Sequence, residues 1–341
     1  MCQPLPTYSP SKDDAVFTIA EVGSNHCGSL ERAKESIHAA SEAGASAVKF
    51  QSIDLSSLYY KPSPSTVELH EKIDLPEEWH AELQEYADNK KITFFSTPTY
   101  LGAVDILEDL AVPFYKLASA QIGVFPQLVD KVVSLGKPVL FSTGLITTSE
   151  IHKIIATFKK HKNNNYIILY CNSIYPTPYE KINLGLIPHY KKTFKCPVGF
   201  SDHSEGIATT LAAVAKGAQV IEKHFTLDRT SLSPDSAFSL TPPEFKELIE
   251  GVRIVERVNT FDPRINIEEA EQKFKNDITH KLVLNRDVSI KDKIKATDIK
   301  FLRSPHGINC DKLNFFLEKG ATYSRTLKKN TLLKSGDLNL K

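Results

Sequence analysis

Short β-rich runs alternate with longer amphipathic segments between residues 16 and 258, and this alternation limits the possible folds more than any other feature of the chain. The predicted strands are 16–21, 47–51, 92–96, 113–117, 138–142, 166–171, 197–201 and 219–224. The predicted helices are 29–43, 76–89, 101–110, 126–135, 149–161, 184–190, 206–216 and 243–258. Eight strands that are each followed by a crossover predict an α/β fold, a closed parallel (β/α)8 TIM barrel.

The pattern changes after Val258. A charged stretch predicts a linker with helical character at 267–274, and short runs at 281–284, 299–302 and 330–334 predict a second, mostly β domain. We therefore expect four segments, which are a flexible N-terminal arm at 1–15, the barrel at 16–260, the linker at 261–278 and the small domain at 279–341.

Nearly every predicted strand ends on a polar side chain, which matters because β/α barrels place their chemistry at the C-terminal strand ends. Side chains alternate along a strand, so Lys49 and Gln51, like Ser201 and His203, can point into the barrel together. By the same rule Lys223 faces the helix layer. The polar residues at or just beyond the strand ends are Glu21, Lys49, Gln51, Thr97, Lys116, Ser119, Ser142, Ser173, Tyr175, Ser201, His203, Glu222 and His224.

These residue types leave several kinds of chemistry open. His203 and His224 end neighbouring strands and could share one metal ion, or could simply bond to loop backbone. Lys49 and Lys116 could form an anion site with the nearby hydroxyls, act as Schiff-base nucleophiles, or be solvated; the hydroxyls favour the anion site. Glutamates at these positions could be general acids or bases, or could neutralise the lysines.

Composition excludes several classes of partner. Lys and Arg total 42 and Asp and Glu 41, so the charge balance gives no reason to expect a nucleic acid or an anionic membrane. Apolar runs stay well short of the roughly 20 residues of a membrane span, and the N-terminus lacks the order of a secretory signal. The five cysteines show no paired spacing, and no dinucleotide fingerprint follows the first strand. We expect a cytoplasmic enzyme of small metabolites.

The ordered motifs at these strand ends resemble those of the sialic acid synthases, including the pseudaminic and legionaminic acid synthases. They are IAEVGSNHCGS (19–29), AVKFQ (47–51), STP (96–98), YKLAS (115–119), STG (142–144), CNSIYPTP (171–178), GFSDH (199–203), EKHFT (222–226) and PDSAFS (234–239). Residues 288–294 (VSIKDKI) and 301–308 (FLRSPHGI) are similar to the antifreeze-like (SAF) domain of these enzymes. Cys27, Gln121, Leu145 and Ser304-Pro305 depart from the usual pattern.

The resemblance implies a role for each matched residue. A phosphoenolpyruvate site would be formed by Lys49, Thr97, Lys116, Ser119, Ser142, Ser173 and Ser201. A divalent metal, Mn²⁺ with Mg²⁺ or Co²⁺ as alternatives, would bind to His203 and His224. An amino sugar would be held by Glu21, Gln51, Tyr175, Asp235 and Arg303, and the catalytic candidates are Glu21, Glu222 and Lys116. Arg303 would reach the active site of a neighbouring subunit in a homodimer with exchanged SAF domains.

The activity implied by the resemblance is a metal-dependent condensation of phosphoenolpyruvate, an open-chain 2-acylamino sugar and water into a nine-carbon acid and phosphate. The stretch at 235–240 is more similar to pseudaminic acid synthases, and that at 20–26 to neuraminic or legionaminic acid synthases. A more distant alternative is a lysine-dependent pyruvate aldolase.

Overall fold

The computed structural model describes residues 5, 15–231, 233–261 and 263–340. The chain divides into two compact units, Met1–Thr260 and Phe261–Lys341. The arm predicted at 1–15 lies outside the described residues, apart from Leu5 and Ala15. Among the described helices, none is both long and apolar enough to span a bilayer.

The first unit is an eight-stranded parallel barrel, which confirms the predicted fold class. The strands follow the order β3-β2-β1-β8-β7-β6-β5-β4, and β3 lies beside β4 to close the barrel. Each predicted strand is present within two residues of its predicted ends. The strands are β1 Phe17–Gly23, β2 Ala47–Ser52, β3 Thr93–Pro98, β4 Tyr115–Leu117, β5 Val139–Ser142, β6 Tyr166–Cys171, β7 Val198–Asp202 and β8 Val220–His224.

Helices surround the barrel in the order expected for β/α units, and three of the described helices were missed by the sequence prediction. The helices of this unit are α1 Leu30–Glu42, α2 Leu55–Leu58, α3 Pro64–Ile73, α4 Trp79–Asn89, α5 Leu101–Asp109, α6 Ser119–Ile122, α7 Pro126–Ser134, α8 Thr148–Lys160, α9 Leu186–Phe194, α10 Ala208–Ala215 and α11 Pro242–Val258. The missed ones are α2, α3 and α6. Both α2 and α6 have only four residues, too few to show a periodicity.

The lower part of the barrel is filled with side chains of the same strand parity as the polar residues at the strand ends. Phe95 and Phe114 meet edge to face there, with ring centroids 4.6 Å apart. Leu5 packs against this cluster. Because apolar groups fill the interior, any cavity must lie above them, at the C-terminal ends of the strands. The cluster consists of Phe17, Ile19, Ala47, Phe95, Phe114, Leu140, Ile167, Leu169 and Val220.

The second unit contains small antiparallel sheets, as expected. Its elements are α12 Glu269–Ile278, β9 His280–Leu284, β10 Ile299–Arg303, α13 Leu313–Glu318, β11 Thr322–Tyr323 and β12 Leu338–Asn339. β9 pairs with β10, and β11 pairs with β12. The strand predicted at 330–334 is absent, since Asn330 adopts a positive φ of 67° and Leu332 makes only a single bridge to Val283.

Two halves of this unit repeat the same local structure. In each half an arginine binds an aspartate at the end of a 3-10 turn, at 2.7 Å for Arg286–Asp298 and 2.9 Å for Arg325–Asp337. Val288 and Leu327, at equivalent places in the two halves, exchange backbone hydrogen bonds with each other. These contacts join the halves around a shared apolar core.

Gly199 in β7 provides a test of barrel packing. A Cβ atom at this position would lie 2.4 Å from the carbonyl oxygen of Val220 in β8, a backbone atom that cannot move aside. We expect Gly199→Ala to lower the free energy of unfolding by about 2–3 kcal/mol, as overpacking does. Urea denaturation followed by circular dichroism measures the change. Gly336→Ala is the control, because its Cβ would meet no atom within 4 Å. An equal loss of stability in both variants would contradict the explanation by overpacking against Val220.

Candidate active site

A polar cavity opens at the barrel mouth, by which we mean the C-terminal ends of strands β1–β8. It brings together twelve of the predicted site residues, which are Glu21, Lys49, Gln51, Lys116, Ser119, Ser142, Tyr175, Ser201, His203, Glu222, His224 and Asp235. A second cavity shares Gln51, Ser119 and Tyr175 with the first and adds the predicted residues Thr97 and Ser173. Arg303 is exposed on β10 of the second unit.

Two lysines and two glutamates form a buried charge cluster in the first cavity. The Nζ atom of Lys49 lies 2.7 Å from Oε2 of Glu21 and 3.7 Å from Oε2 of Glu222. Lys116 binds the other oxygen of Glu222 at 3.0 Å. None of the four side chains is more than 5% exposed. The cluster is formally neutral, so it can be buried without an unpaired charge.

The pKa values of the cluster follow from burial and from these pairings. Burial raises the pKa of Glu21 to about 7, although Lys49 opposes the shift. Burial would also raise the pKa of Glu222, but Lys116 and Lys49 outweigh it and lower that pKa to about 2. Burial opposes the charge of Lys49, yet Glu21 and Glu222 raise its pKa, whereas burial lowers the pKa of Lys116.

Hydroxyl groups surround the cluster. Ser201 donates to Glu222 at 2.9 Å, and Lys49 donates to Thr97 at 3.1 Å. The hydroxyl of Ser142 is buried and has no hydrogen-bond partner among the described residues. A buried hydroxyl without a partner is unfavourable, so it indicates a ligand that the hydroxyl can bind.

Gly144 follows β5 where the chain approaches two of the predicted serines. Its N–H donates to Ser119 at 2.9 Å. A Cβ atom here would lie 2.3 Å from the hydroxyl oxygen of Ser173 and 2.8 Å from that of Ser119. Glycine is therefore required at this position for both hydroxyls to keep their places.

The two histidines have the properties of metal ligands. Their ring centroids are 5.2 Å apart. Burial lowers the pKa of His203 to about 4, with a further effect of His224, and burial lowers the pKa of His224 to about 3. Both are therefore neutral at pH 7, as ligation requires.

The hydrogen bonding of the two rings also fits a divalent ion. Nδ1 of His203 lies 2.7 Å from the carbonyl oxygen of Asn172, a contact that suits the N–H and leaves Nε2 with its lone pair. Nδ1 of His224 is buried without a hydrogen-bond partner in the described ranges, and Asp235 lies 3.6 Å from it. Those ranges contain no group of three or more His, Cys, Asp or Glu side chains placed so that they could hold a metal ion between them. Two imidazoles alone make an open site, in which other ligands complete the coordination.

Three further predicted residues, Gln51, Tyr175 and Asp235, also line the cavity. Gln51 donates to Glu21 at 2.7 Å. The ring of Tyr175 packs on that of His203, with centroids 4.3 Å apart. Asp235 lies in the loop after β8. Asn25 donates to the hydroxyl of Ser239 in this loop, and that hydroxyl donates to the carbonyl of Asp235. These three residues offer acceptors, an amide and an aromatic face, which suits a polyhydroxylated ligand.

Sequence reasoning missed Cys171, which ends β6 and lines the first cavity. Its sulfur lies 3.7 Å from both the hydroxyl of Ser119 and Nδ1 of His203. Burial raises the pKa of its thiol to about 11, so the thiol is protonated at neutral pH. Its strand parity, shared with Ser173, was the signal that could have identified it. Thr99, Gln121 and Leu145, also missed as lining residues, border the second cavity.

Comparisons with known proteins agree on one family. A model described as the NeuB family matches residues 36–261. The chain is 36% identical over 339 residues to a pseudaminic acid synthase from Campylobacter jejuni, covering 95% of this chain and 97% of the relative. It is 35% identical over 319 residues to an N,N'-diacetyllegionaminic acid synthase from the same organism, covering 89% and 95%. A crystal structure of an N-acetylneuraminic acid synthetase from Leptospira borgpetersenii in complex with citrate is similar with a TM-score of 0.71 and 32% identity, covering 78% of this chain and 93% of that one.

Removing Lys116 tests the charge cluster. We expect Lys116→Met to lower the free energy of unfolding by about 3–5 kcal/mol at pH 7, because it leaves Glu222 without its nearest cation. Urea denaturation of EDTA-treated protein measures the change. The double variant Lys116→Met/Glu222→Leu is the control, and we expect it to recover most of the loss.

The same comparison has a defined pH dependence. The folded-state pKa of Glu222 lies below its ordinary value of 4.5, so its ionised form adds stability above that pH and loses it as the pH falls towards 2. In Lys116→Met that contribution is reduced, because only Lys49, at 3.7 Å, is left to stabilise the ionised form. The deficit of the variant should therefore be full at pH 7 and shrink below pH 4.5. A deficit that does not change with pH would show that lost packing, not charge, causes it.

Proposed function

The chain belongs to the NeuB family, and from this membership we propose that it condenses phosphoenolpyruvate with an open-chain 2-acylamino sugar aldehyde and water, forming a nine-carbon nonulosonic acid and phosphate. The observation that supports this most strongly is the meeting of three groups in one cavity. These are the ammonium groups of Lys49 and Lys116, the unpartnered hydroxyl of Ser142, and the neutral imidazoles of His203 and His224. They match an anionic substrate and a divalent cation.

We propose that the lysines and hydroxyls bind phosphoenolpyruvate. A carboxylate and a phosphate need cations and several donors at short range, and none of the described residues that line this cavity is an Arg. Lys49 and Lys116 supply the charge, while Thr97, Ser119, Ser142, Ser173 and Ser201 supply hydroxyls. Glu222 keeps both ammonium groups in place through its two oxygens.

The metal would be held by His203 and His224, with Mn²⁺ proposed as the ion. A bound divalent cation would supply Lewis acidity at the sugar aldehyde. The neutral state of both imidazoles and the free Nδ1 atom of His224 support this assignment. NeuB family enzymes are generally metal-dependent, which agrees with the donor set.

The proposed reaction forms one carbon–carbon bond, forms one carbon–oxygen bond from water at C2 and cleaves the carbon–oxygen bond from C2 to phosphate. C3 of phosphoenolpyruvate attacks the aldehyde carbon, whose oxygen gains a proton and becomes a hydroxyl. Water then adds to C2 and loses a proton. The C2–O bond to phosphate breaks, phosphate leaves with the bonding electron pair, and the C2 hydroxyl loses its proton to become the keto group of the acid. Lys49 and Lys116 keep the two anionic groups fixed, and Glu21 with Gln51 orients the sugar beside them. Glu21, Glu222 and Lys116 remain the proposed catalytic residues.

The identity of the sugar depends on the loops beyond the strands. We propose that Tyr175 and Asp235 bind it, together with Arg303 from a second copy of this chain in a dimer with exchanged SAF domains. The two relatives from C. jejuni are named as synthases of different acids, although this chain is 36% identical to one and 35% identical to the other. A 2-acylamino aldehyde is therefore the proposed class, with N-acetylmannosamine, 2,4-diacetamido and altrose-configured sugars as its candidate members.

Labelled water tests the proposed route. With H₂¹⁸O, Mn²⁺, phosphoenolpyruvate and the sugar, we expect ¹⁸O in the C2 oxygen of the acid and none in phosphate, because the C2–O bond is the one cleaved. Mass spectrometry of both products gives the result. Label in phosphate would overturn the route. Borohydride trapping of pyruvate on Lys49 or Lys116, with activity that survives EDTA, would instead favour the aldolase.

Mixed dimers test the role proposed for Arg303. Lys116→Ala and Arg303→Ala should each be inactive alone, since one lacks an anion-binding cation and the other a sugar-binding guanidinium. When the two variants are refolded together, mixed dimers should contain one complete site and recover part of the wild-type turnover. Lys300→Ala, on the same strand, is the control and should keep activity. A normal sugar KM and turnover in Arg303→Ala alone would rule out the cross-subunit role.

A further inference from the structure

A second buried ion pair lies behind the barrel mouth, on the opposite face of two strands from the cavity. Asp202 of β7 and Lys223 of β8 are register partners, and Nζ of Lys223 lies 2.9 Å from Oδ2 of Asp202. Each side chain is at most 1% exposed. Neither residue lines the cavity, so the proposed reaction does not use them directly.

This pair is the centre of a saturated hydrogen-bond network. Oδ1 of Asp202 accepts from both the N–H and the hydroxyl of Ser204, and Oδ2 accepts from the hydroxyls of Thr209 and Thr210 at the start of α10. Lys223 also donates to the carbonyl of Ser204 at 2.5 Å. The network therefore joins the ends of β7 and β8 to the first turn of α10.

The residues that immediately follow the pair are the two histidines. Because side chains alternate along a strand, Asp202 and Lys223 point to the helix layer while His203 and His224 point to the cavity. His203 has two further restraints, since its ring contacts the carbonyl of Asn172 and its own carbonyl accepts from Thr177. His224 has no hydrogen-bond partner at Nδ1 within the described part of the chain. The carbonyl of His224 accepts from Leu240, and its ring packs edge to face on Phe238, with centroids 5.1 Å apart. With these contacts, the backbone of β8, which Lys223 ties to β7, sets the position of the ring.

Stability alone does not account for such a pair. Removing two charges from water is unfavourable, and apolar residues of similar volume in place of a buried ion pair are often neutral or stabilising. A directional network has another use, which is to fix the separation and rotation of the strands that it joins. At the ends of β7 and β8, that separation sets the distance between the two imidazoles.

We propose that the Asp202–Lys223 pair is a positioning device that holds His203 and His224 at the spacing at which they share one divalent cation. The inference rests on the proposed function, which assigns the two imidazoles to a metal. Neither residue touches the metal or the substrates. The pair acts through the backbone of the two strand ends and through Ser204.

The double variant Asp202→Asn/Lys223→Met tests the proposal without leaving an unpaired charge. Asn keeps an acceptor for Ser204, and Met occupies the volume of the lysine chain. The probe is Mn²⁺ alone, titrated into the full-length protein at 25 °C, with free Mn²⁺ measured by electron paramagnetic resonance. We expect the Kd for Mn²⁺ to rise about 10- to 100-fold, as it does when residues behind metal ligands are changed. Turnover should recover at high Mn²⁺ concentration.

A matched control separates positioning from general loss of stability. Glu108→Gln/Lys137→Met removes a 2.6 Å ion pair between Glu108 of α5 and Lys137, two residues before β5, away from the cavity. A lower melting temperature of this control variant does not count against the proposal. Its Kd for Mn²⁺ should equal that of the wild type. Equal Mn²⁺ affinity in the Asp202/Lys223 variant and the wild type would overturn the proposal.

Two further outcomes are decisive. If the double variant does not fold at 25 °C, Thr210→Val takes its place, because it removes one hydroxyl that donates to Asp202. The Kd of this variant for Mn²⁺ should rise by a smaller factor. An unchanged Kd overturns the proposal. If wild-type protein binds no Mn²⁺, the metal assignment in the proposed function fails, and the positioning role fails with it. Binding by the wild type with no change in the variants refutes the positioning role alone.

Discussion

The buried cluster of Lys49, Lys116, Glu21 and Glu222 is the interaction on which the rest of the site depends. Its four members come from four strands, β1, β2, β4 and β8, so the cluster can form only when the barrel is closed. Lys116 and Glu222 are 106 positions apart in sequence, and their 3.0 Å contact crosses the barrel. The same charges that balance one another within the fold are those that the proposed anionic substrate would meet. In the proposed function, folding and binding therefore use one set of side chains.

The sequence was sufficient to predict the barrel and most of the residues at its mouth, because both follow from local rules. Strand parity alone placed Lys49 with Gln51 and turned Lys223 outward, as the structure has them. Such local rules could not predict which lysine and which glutamate form ion pairs within the cluster. Which glutamate binds Lys116 depends on side-chain conformations across the barrel, so Glu21 and Glu222 looked equivalent in sequence although burial and nearby lysines shift their pKa values in opposite directions.

Several features of the structure could not be predicted from the sequence for physical reasons. The short helix α6 lies directly after the Lys116 strand, and its four residues include Ser119, which had been interpreted only as a strand-end hydroxyl. The repeat in the second unit depends on Arg286–Asp298 and Arg325–Asp337, two contacts separated by divergent residues. At 330–334, a short run with two central leucines predicted a strand, but its first residue, Asn330, has a left-handed backbone and turns the chain instead.

The strand ends and the loops have separate tasks in this architecture. His203 and His224 lie at strand ends. The carbonyl of Asn172 beside His203 and the Asp202–Lys223 pair behind the two strands restrain their geometry. Tyr175 and Asp235 stand on loops, where a small change of path alters what they can reach. Chemistry common to a family needs fixed positions, whereas the choice between related sugars needs positions that can vary. The strand ends are therefore expected to resemble those of relatives acting on different sugars, and the loops to differ.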